Sequence, residues 1–163
     1  MANPPANLLP SVLDRLLDDN PESSQDVVQS RRQQLVALRN SVRRDLEALL
    51  NSHYRCFSPP EALQGLKRSL VEYGVKDFVS AFVGTDDLRE DLRKSLQETI
   101  RVFEPRFVKI DVTLLDDGER IDRTLRFRID ALMYAEPAPE PISFDSRLDP
   151  ASQCFSVVTD ANV

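Results

Sequence analysis

Ile100-Arg101-Val102-Phe103-Glu104-Pro105-Arg106-Phe107 divides two kinds of periodicity in this chain. Upstream, Leu88, Leu92, Leu96, Ile100 and Phe103 recur at helical spacing, and downstream Val108, Ile110, Val112 and Leu114 recur every second residue. Pro105 lacks a backbone donor and pushes its predecessor out of helical geometry, so the helix should stop near Phe103 and a strand should begin at Phe107. Glu104 and Arg106 then flank a stiff corner.

Working back from that corner, Thr85 is the expected cap of the helix, with Asp86 and Asp87 in its first turn, where the helix dipole favours anions. No third ligand accompanies those acids, so capping rather than metal binding explains them. Leu63, Leu66, Leu70 and Tyr73 suggest a short helix closed by Gly74, while 75–83 is apolar and unassigned. His53, Tyr54 and Phe57 precede a Pro-Pro break and suggest a loop tucked onto the core. A lone histidine without a neighbouring nucleophile or ligand is structural. A first long helix is expected from an Asp26 cap to Leu50, with Leu35, Leu38, Val42, Leu46 and Leu49 inward. Arg31, Arg32, Arg39, Arg43 and Arg44 make a basic flank, expected to be solvated.

Residues 1–9 form an expected tail, and 10–25 a short amphipathic segment and linker. Within the latter, Val12, Leu13, Leu16 and Leu17 share a side. A helix so short needs a surface, which could be its own domain or another subunit.

Forward of the corner, the strand 107–115 meets Asp116-Asp117-Gly118-Glu119, a tight-turn signal. The strand returning over 124–133 alternates Leu125, Phe127, Ile129, Ala131 and Met133 with Thr124, Arg126, Arg128 and Asp130, as in a sheet covered on one side. A proline-rich connector leads to a short strand Ile142-Ser143-Phe144-Asp145, and 154–159 is a fourth strand or a tail. The expected fold is α+β: two long helices and a short N-terminal helix on one face of a mainly antiparallel sheet of 3-4 strands, with a single domain over 26–150 and a strand or tail over 151–163. So small a sheet has exposed edges that must be covered, charged or used for pairing with another chain.

Composition narrows the function. The 163 residues carry 21 basic and 27 acidic side chains, net -6, without the clustered positive charge that phosphate binding needs, so nucleic acid is excluded as a partner. All but four of the basic residues are arginine, which suits bidentate pairing. Cys56 and Cys154 are far apart and no metal-spaced cluster exists, which implies a reduced, cytoplasmic protein with no cofactor. No basic segment precedes an apolar run and no apolar span approaches about 20 residues, so neither secretion by a signal nor membrane insertion is expected.

Val12-Leu13-Asp14-Arg15-Leu16, the Leu38 to Asn51 helix with its Arg43-Arg44-Asp45-Leu46, Glu72-Tyr73-Gly74, Glu104-Pro105-Arg106, and Leu125-Phe127-Ile129 bending into Ile142-Ser143-Phe144-Asp145 together resemble the TssE family over about residues 10 to 150. That family supplies baseplate subunits of bacterial type VI secretion systems and is related to the wedge proteins of contractile phage tails. The family often has Asn-Tyr-Gly where Glu72-Tyr73-Gly74 stands, and commonly Leu where Phe107 stands. The resemblance implies a non-catalytic adaptor that joins TssF and TssG, with TssK nearby, and helps the sheath of TssB and TssC begin to polymerise. It implies partner-binding roles for Glu104, Pro105 and Arg106 and for Val12, Leu13, Asp14, Arg15 and Leu16. A salt bridge between Glu104 and Arg106 inside the chain fits the corner equally well. The rival reading is a peptidoglycan hydrolase, which needs two carboxylates across a cleft. The Glu-x8-Asp-x5-Thr spacing of phage-type lysozymes is absent.

Overall fold

The computed structural model describes residues 11–17, 21–22, 30–53, 60, 62–63, 65–66, 69–75, 86–115, 124–135, 138–149 and 151–159. Its elements run α1 (Val12–Leu16), α2 (Arg31–Leu50), a 3-10 turn (Leu70–Glu72), α3 (Asp86–Phe103), β1 (Phe107–Leu115), β2 (Leu125–Met133), β3 (Glu140–Leu148) and β4 (Phe155–Thr159). The strands form one antiparallel meander in the order β1-β2-β3-β4, and the fold is α+β. The expected tail, the Asp26 and Thr85 caps, Tyr54, Phe57, 76–83 and the Asp116 to Glu119 turn lie outside the described residues.

Helix α2 begins four residues after Asp26 would have capped it. Ser30 is its cap: the Ser30 hydroxyl accepts from the Gln33 amide while the Gln33 side chain accepts from the Ser30 amide, a reciprocal box that satisfies two donors. Both long helices pack against one face of the sheet, α2 over β4 and α3 over β1. The core joins Leu38, Val42, Leu46, Leu49 and Leu50 of α2 with Leu92, Leu96 and Ile100 of α3, and with Val112, Phe127, Ile129, Met133, Ile142, Phe144, Leu148, Phe155 and Val157 from the strands. Leu88, which shares the period of α3, is exposed in its first turn.

Pro105 ends α3 at Phe103 and starts β1 at Phe107, as the change of period requires. Val108 breaks the alternation and is 59% exposed. The pairing shifts between Phe107 and Lys109, so Val108 is the extra residue of a bulge and Phe107 packs against the core in its place. β3 is nine residues long, not four. Pro141 is admitted because β4 pairs only with 144–148, so no neighbour on that side asks Pro141 for a donor.

Among the described residues of the expected helix over 63–73, the regular hydrogen bonding is that of turns, with Leu63 and Leu70 exposed and Tyr73 set edge-on to Phe103 at 5.3 Å. His53 is exposed rather than tucked in, and its backbone bridges to Val75. The Val75 amide donates to the Ser52 carbonyl at 2.8 Å, which draws Gly74 against that loop at φ +117. A Cβ at Gly74 would stand 2.3 Å from the Ser52 oxygen. Gly74→Ala therefore combines a clash with backbone and a conformation reserved for glycine, and should cost roughly 2–3 kcal/mol, read as a lower urea midpoint at unchanged slope.

Both sheet edges are partly covered, one of the outcomes open to a sheet this small. At β4, the Asn51 carboxamide donates to the Phe155 carbonyl at 2.9 Å and accepts from the Phe155 amide at 2.8 Å, as a neighbouring strand would. One and two turns back along α2, Glu47 and Arg43 meet the Val157 amide and carbonyl more loosely, at 3.5 and 3.4 Å. At β1, Arg93 of α3 donates to the Val112 carbonyl at 3.1 Å and Gln97 to the Ile110 carbonyl at 3.4 Å. Each long helix thus turns one polar stripe onto an edge.

Candidate functional site

The corner is held by a charge network that begins at Arg106. Its Nε and Nη2 donate to the two oxygens of Glu104 at 2.6 and 2.5 Å, and its backbone amide also donates to Glu104 at 3.2 Å. Nη2 reaches Asp45 of α2 at 2.7 Å and Nη1 reaches the Ser41 hydroxyl at 3.2 Å. The Glu104 side chain is 5% exposed, against 23% for Arg106. The pair expected at this corner is therefore made within the chain. Removing charges from water costs several kcal/mol per ion, and this cluster offsets it with bidentate geometry and several partners at once. Burial works against the Arg106 charge, but hydrogen bonds and charges from Glu104 and Asp45 outweigh it and raise its pKa above the ordinary value.

The network continues into α1. The Ser41 hydroxyl donates to Asp14 at 2.6 Å, and Arg44 grips Asp14 at 2.9 Å while also binding Asp45 at 2.9 and 3.0 Å. Ser11 and Asp14 form a capping box, so one carboxylate both starts α1 and fastens it to α2. Partial burial opposes the Asp14 charge, yet hydrogen bonds from Ser11, Ser41 and Arg44, with the Arg44 charge, hold its carboxyl at about 2 from an ordinary 3.8. The folded value lies below the unfolded one. Its contribution is therefore complete above about pH 4 and lost as pH falls toward 2. The α1 amide chemical shifts should move through that window in the wild type, and Asp14→Asn should already show the acid-side shifts at neutral pH.

Because α1 is fastened by its polar side, its apolar side faces out. Val12, Leu13, Leu16 and Leu17 are 75, 52, 76 and 57% exposed. Arg15 lies in the same last turn. Four large apolar side chains held together on a seated helix are an unusual surface for a chain with no partner. The basic flank of α2 is largely engaged too: Arg31 reaches Glu140, Arg43 reaches Glu47, and Arg44 holds Asp14 and Asp45.

Between α1, α2 and the corner lies an open cleft of about 500 Å³, lined by Ser11, Asp45, Leu49, Tyr73, Phe103, Glu104, Pro105 and Arg106. Burial, with the Asp45 and Glu104 charges, pushes the Tyr73 hydroxyl up. Both carboxylates of the cleft are engaged by the same guanidinium. Among the described residues no group of three or more His, Cys, Asp or Glu could hold a metal ion, and no helix is long and apolar enough to cross a membrane.

Sequence reasoning found the corner and the leucine side of α1. It missed Ser41 and Asp45 as the groups that join them, although the Ser11-x-x-Asp14 capping signature was a signal that α1 is a real helix.

A family model described as "Baseplate wedge protein gp25" matches residues 36–138, which takes in most of α2, the corner and the first two strands. A solved chain from a structure titled "The baseplate complex from the type VI secretion system" is similar at 15% identity and a TM-score of 0.48, over 71% of this chain and 94% of that one. No curated protein matches.

Proposed function

This chain belongs to the baseplate wedge protein gp25 family, and on that premise we propose that it is the wedge subunit of a type VI secretion baseplate, acting in the cytoplasm. It is a structural baseplate protein. In this reading it joins TssF and TssG, with TssK nearby, and presents the sheath proteins TssB and TssC with a platform from which to polymerise. The TssE-like motifs support the choice of type VI secretion over a phage tail.

The observation that carries the reading is the seat of α1. Asp14 is spent inside the chain, and what it holds in place is an outward face of Val12, Leu13, Leu16 and Leu17. A helix anchored by its polar side and offering its apolar side is arranged for a groove or helix on another subunit. Glu104, Pro105 and Arg106 act in this reading by fixing the seat and the start of β1, with Arg106 the one of the charged pair that still reaches solvent. The test is co-purification of the tagged chain from cells, scored for TssF, TssG, TssK, TssB and TssC. Wedge subunits should be recovered with it, and recovery of the chain alone would contradict a baseplate role.

A further inference from the structure

The two long helices cover one face of the sheet and leave the other outward. Toward the corner, that outward face is apolar. The bulge that gives Phe107 to the core leaves two successive residues, Val108 and Lys109, exposed, Val108 by 59%. Just past the end of β2, Tyr134 is 63% exposed, and its amide donates to the Arg106 carbonyl at 2.8 Å, which keeps it in register next to the bulge. Half-buried Leu132 and exposed Pro141 pair in line with Lys109 and extend the patch across the sheet. A bulge that re-aims a side chain is a built feature of a strand, and here it sets an apolar group beside a tyrosine on the open face.

The next row of the same face is acidic. Asp111 and Asp130 stand directly opposite each other across β1 and β2, and both are exposed. Like charges in that relation work against the sheet. Asp130 accepts from the Ser143 hydroxyl at 2.5 Å, a neutral partner that leaves both charges in place. Two residues along a strand separate the acidic row from the Leu132 row, a step of about 6.6 Å. Four residues along a helix advance about 6 Å, so an apolar side chain and a basic one a single turn apart match the two rows.

We propose that this outward face seats a basic amphipathic helix of a baseplate neighbour, with a large apolar side chain between Val108 and Tyr134 and a lysine or arginine one turn along over Asp111 and Asp130. β2 already pairs with β1 on one side and β3 on the other, so recognition is by side chains across the face and no strand is added. Charge selects the occupant. At net -6 the chain repels nucleic acid and anionic lipid, and a second copy would set these carboxylates against its own. The surface is separate from the outward side of α1, which is fastened to α2 in the helical layer. It rests on the baseplate reading, which makes the wedge subunits the source of the helix.

The test is carbodiimide labelling of exposed carboxylates with glycine ethyl ester, read by mass spectrometry on the full chain alone and with the purified TssF–TssG complex. Asp111 and Asp130 should be modified in the free chain and lose that modification in the complex, while Asp91, exposed on α3, keeps its own. Val108→Glu should weaken binding of TssF–TssG at least about tenfold at an unchanged melting temperature, because Val108 lies outside the core. Tyr134→Ser reads the same apolar anchor without touching the bulge and should weaken binding in the same direction. Asp111→Lys combined with Asp130→Lys should weaken it to a similar degree and reduce its dependence on salt. Labelling of both aspartates retained in a complex that forms, or wild-type affinity in all the variants, would overturn the seat. So would a free chain in which neither aspartate is modified, since its face would already be covered. Failure of the wild-type chain to bind TssF–TssG at all would overturn the baseplate reading beneath it.

Discussion

Arg106→Ala should lower stability by about 3 kcal/mol, because it leaves the Glu104 carboxylate buried and facing nothing that can neutralise it. Glu104 is 4% exposed, its two oxygens are both bound by Arg106, and Asp45 and Ser41 lose the same partner. Breaking a buried pair by removing one member costs about 3–5 kcal/mol, and the partial exposure of Arg106 places this case at the lower end, since water can enter the vacated space. In a domain of this size that corresponds to a fall in melting temperature of roughly 6–12 °C. Arg106→Lys should recover less than half of the loss, because an ammonium cannot reproduce the two-pronged grip on Glu104 together with the bond to Asp45. Glu104→Gln should be milder than Arg106→Ala, since Arg106 retains Asp45 and no bare charge remains inside. Thermal unfolding of the three variants gives the ranking, and fluorescent sheath counts in cells should follow it. Wild-type melting for Arg106→Ala would mean the network is ornamental.

Leu16→Asp should do the reverse: it should abolish wedge association while leaving the melting temperature within about 2 °C of wild type. Leu16 is 76% exposed and contributes to no core, so the substitution removes little burial from the free chain. In a complex the same position would put a charge into an apolar contact, and one truncated anchor at the centre of an interface commonly costs 2 kcal/mol or more, about thirtyfold in affinity. Deleting residues 1 to 17 should give the same loss of association. Asp14→Ala should reduce association less than Leu16→Asp, because it frees α1 from its seat without altering the leucines and so charges only the entropy of ordering the helix. If the deletion co-purifies with wedge subunits as well as the intact chain does, the leucine side of α1 is not a dock.

The contrast between these variants shows what the sequence could and could not disclose. The limits of β1 were legible because proline chemistry and a change of period coincide at one point. The alternation of β2 was legible because its apolar positions are unbroken. Val108 was misplaced because a bulge shifts the register without any mark in composition, and Phe107 could fill the core position as well. β3 looked short because Pro141, Ser143, Ser146 and Arg147 dilute its apolar pattern, although the pairing with β2 runs from Leu125 to Met133. The corner was legible as rigid, but not as internal: Arg106 meets Ser41 and Asp45 across more than 60 residues of chain, a distance no local pattern reports. Closure of the β4 edge was hidden for the same reason, since Asn51 and Phe155 are 104 residues apart. The N-terminal segment was equally balanced between packing and docking on its leucines alone. It is the position of Asp14, on the side opposite those leucines, that decides which side faces out.

A photoreactive residue placed at position 16 of the full chain, activated in cells with an assembled baseplate, tests the outward helix most directly. A covalent product joining the chain to TssF or TssG is the expected result. Products confined to the chain itself, in cells where the baseplate demonstrably assembles, would contradict a leucine face seated by Asp14 for a neighbouring subunit.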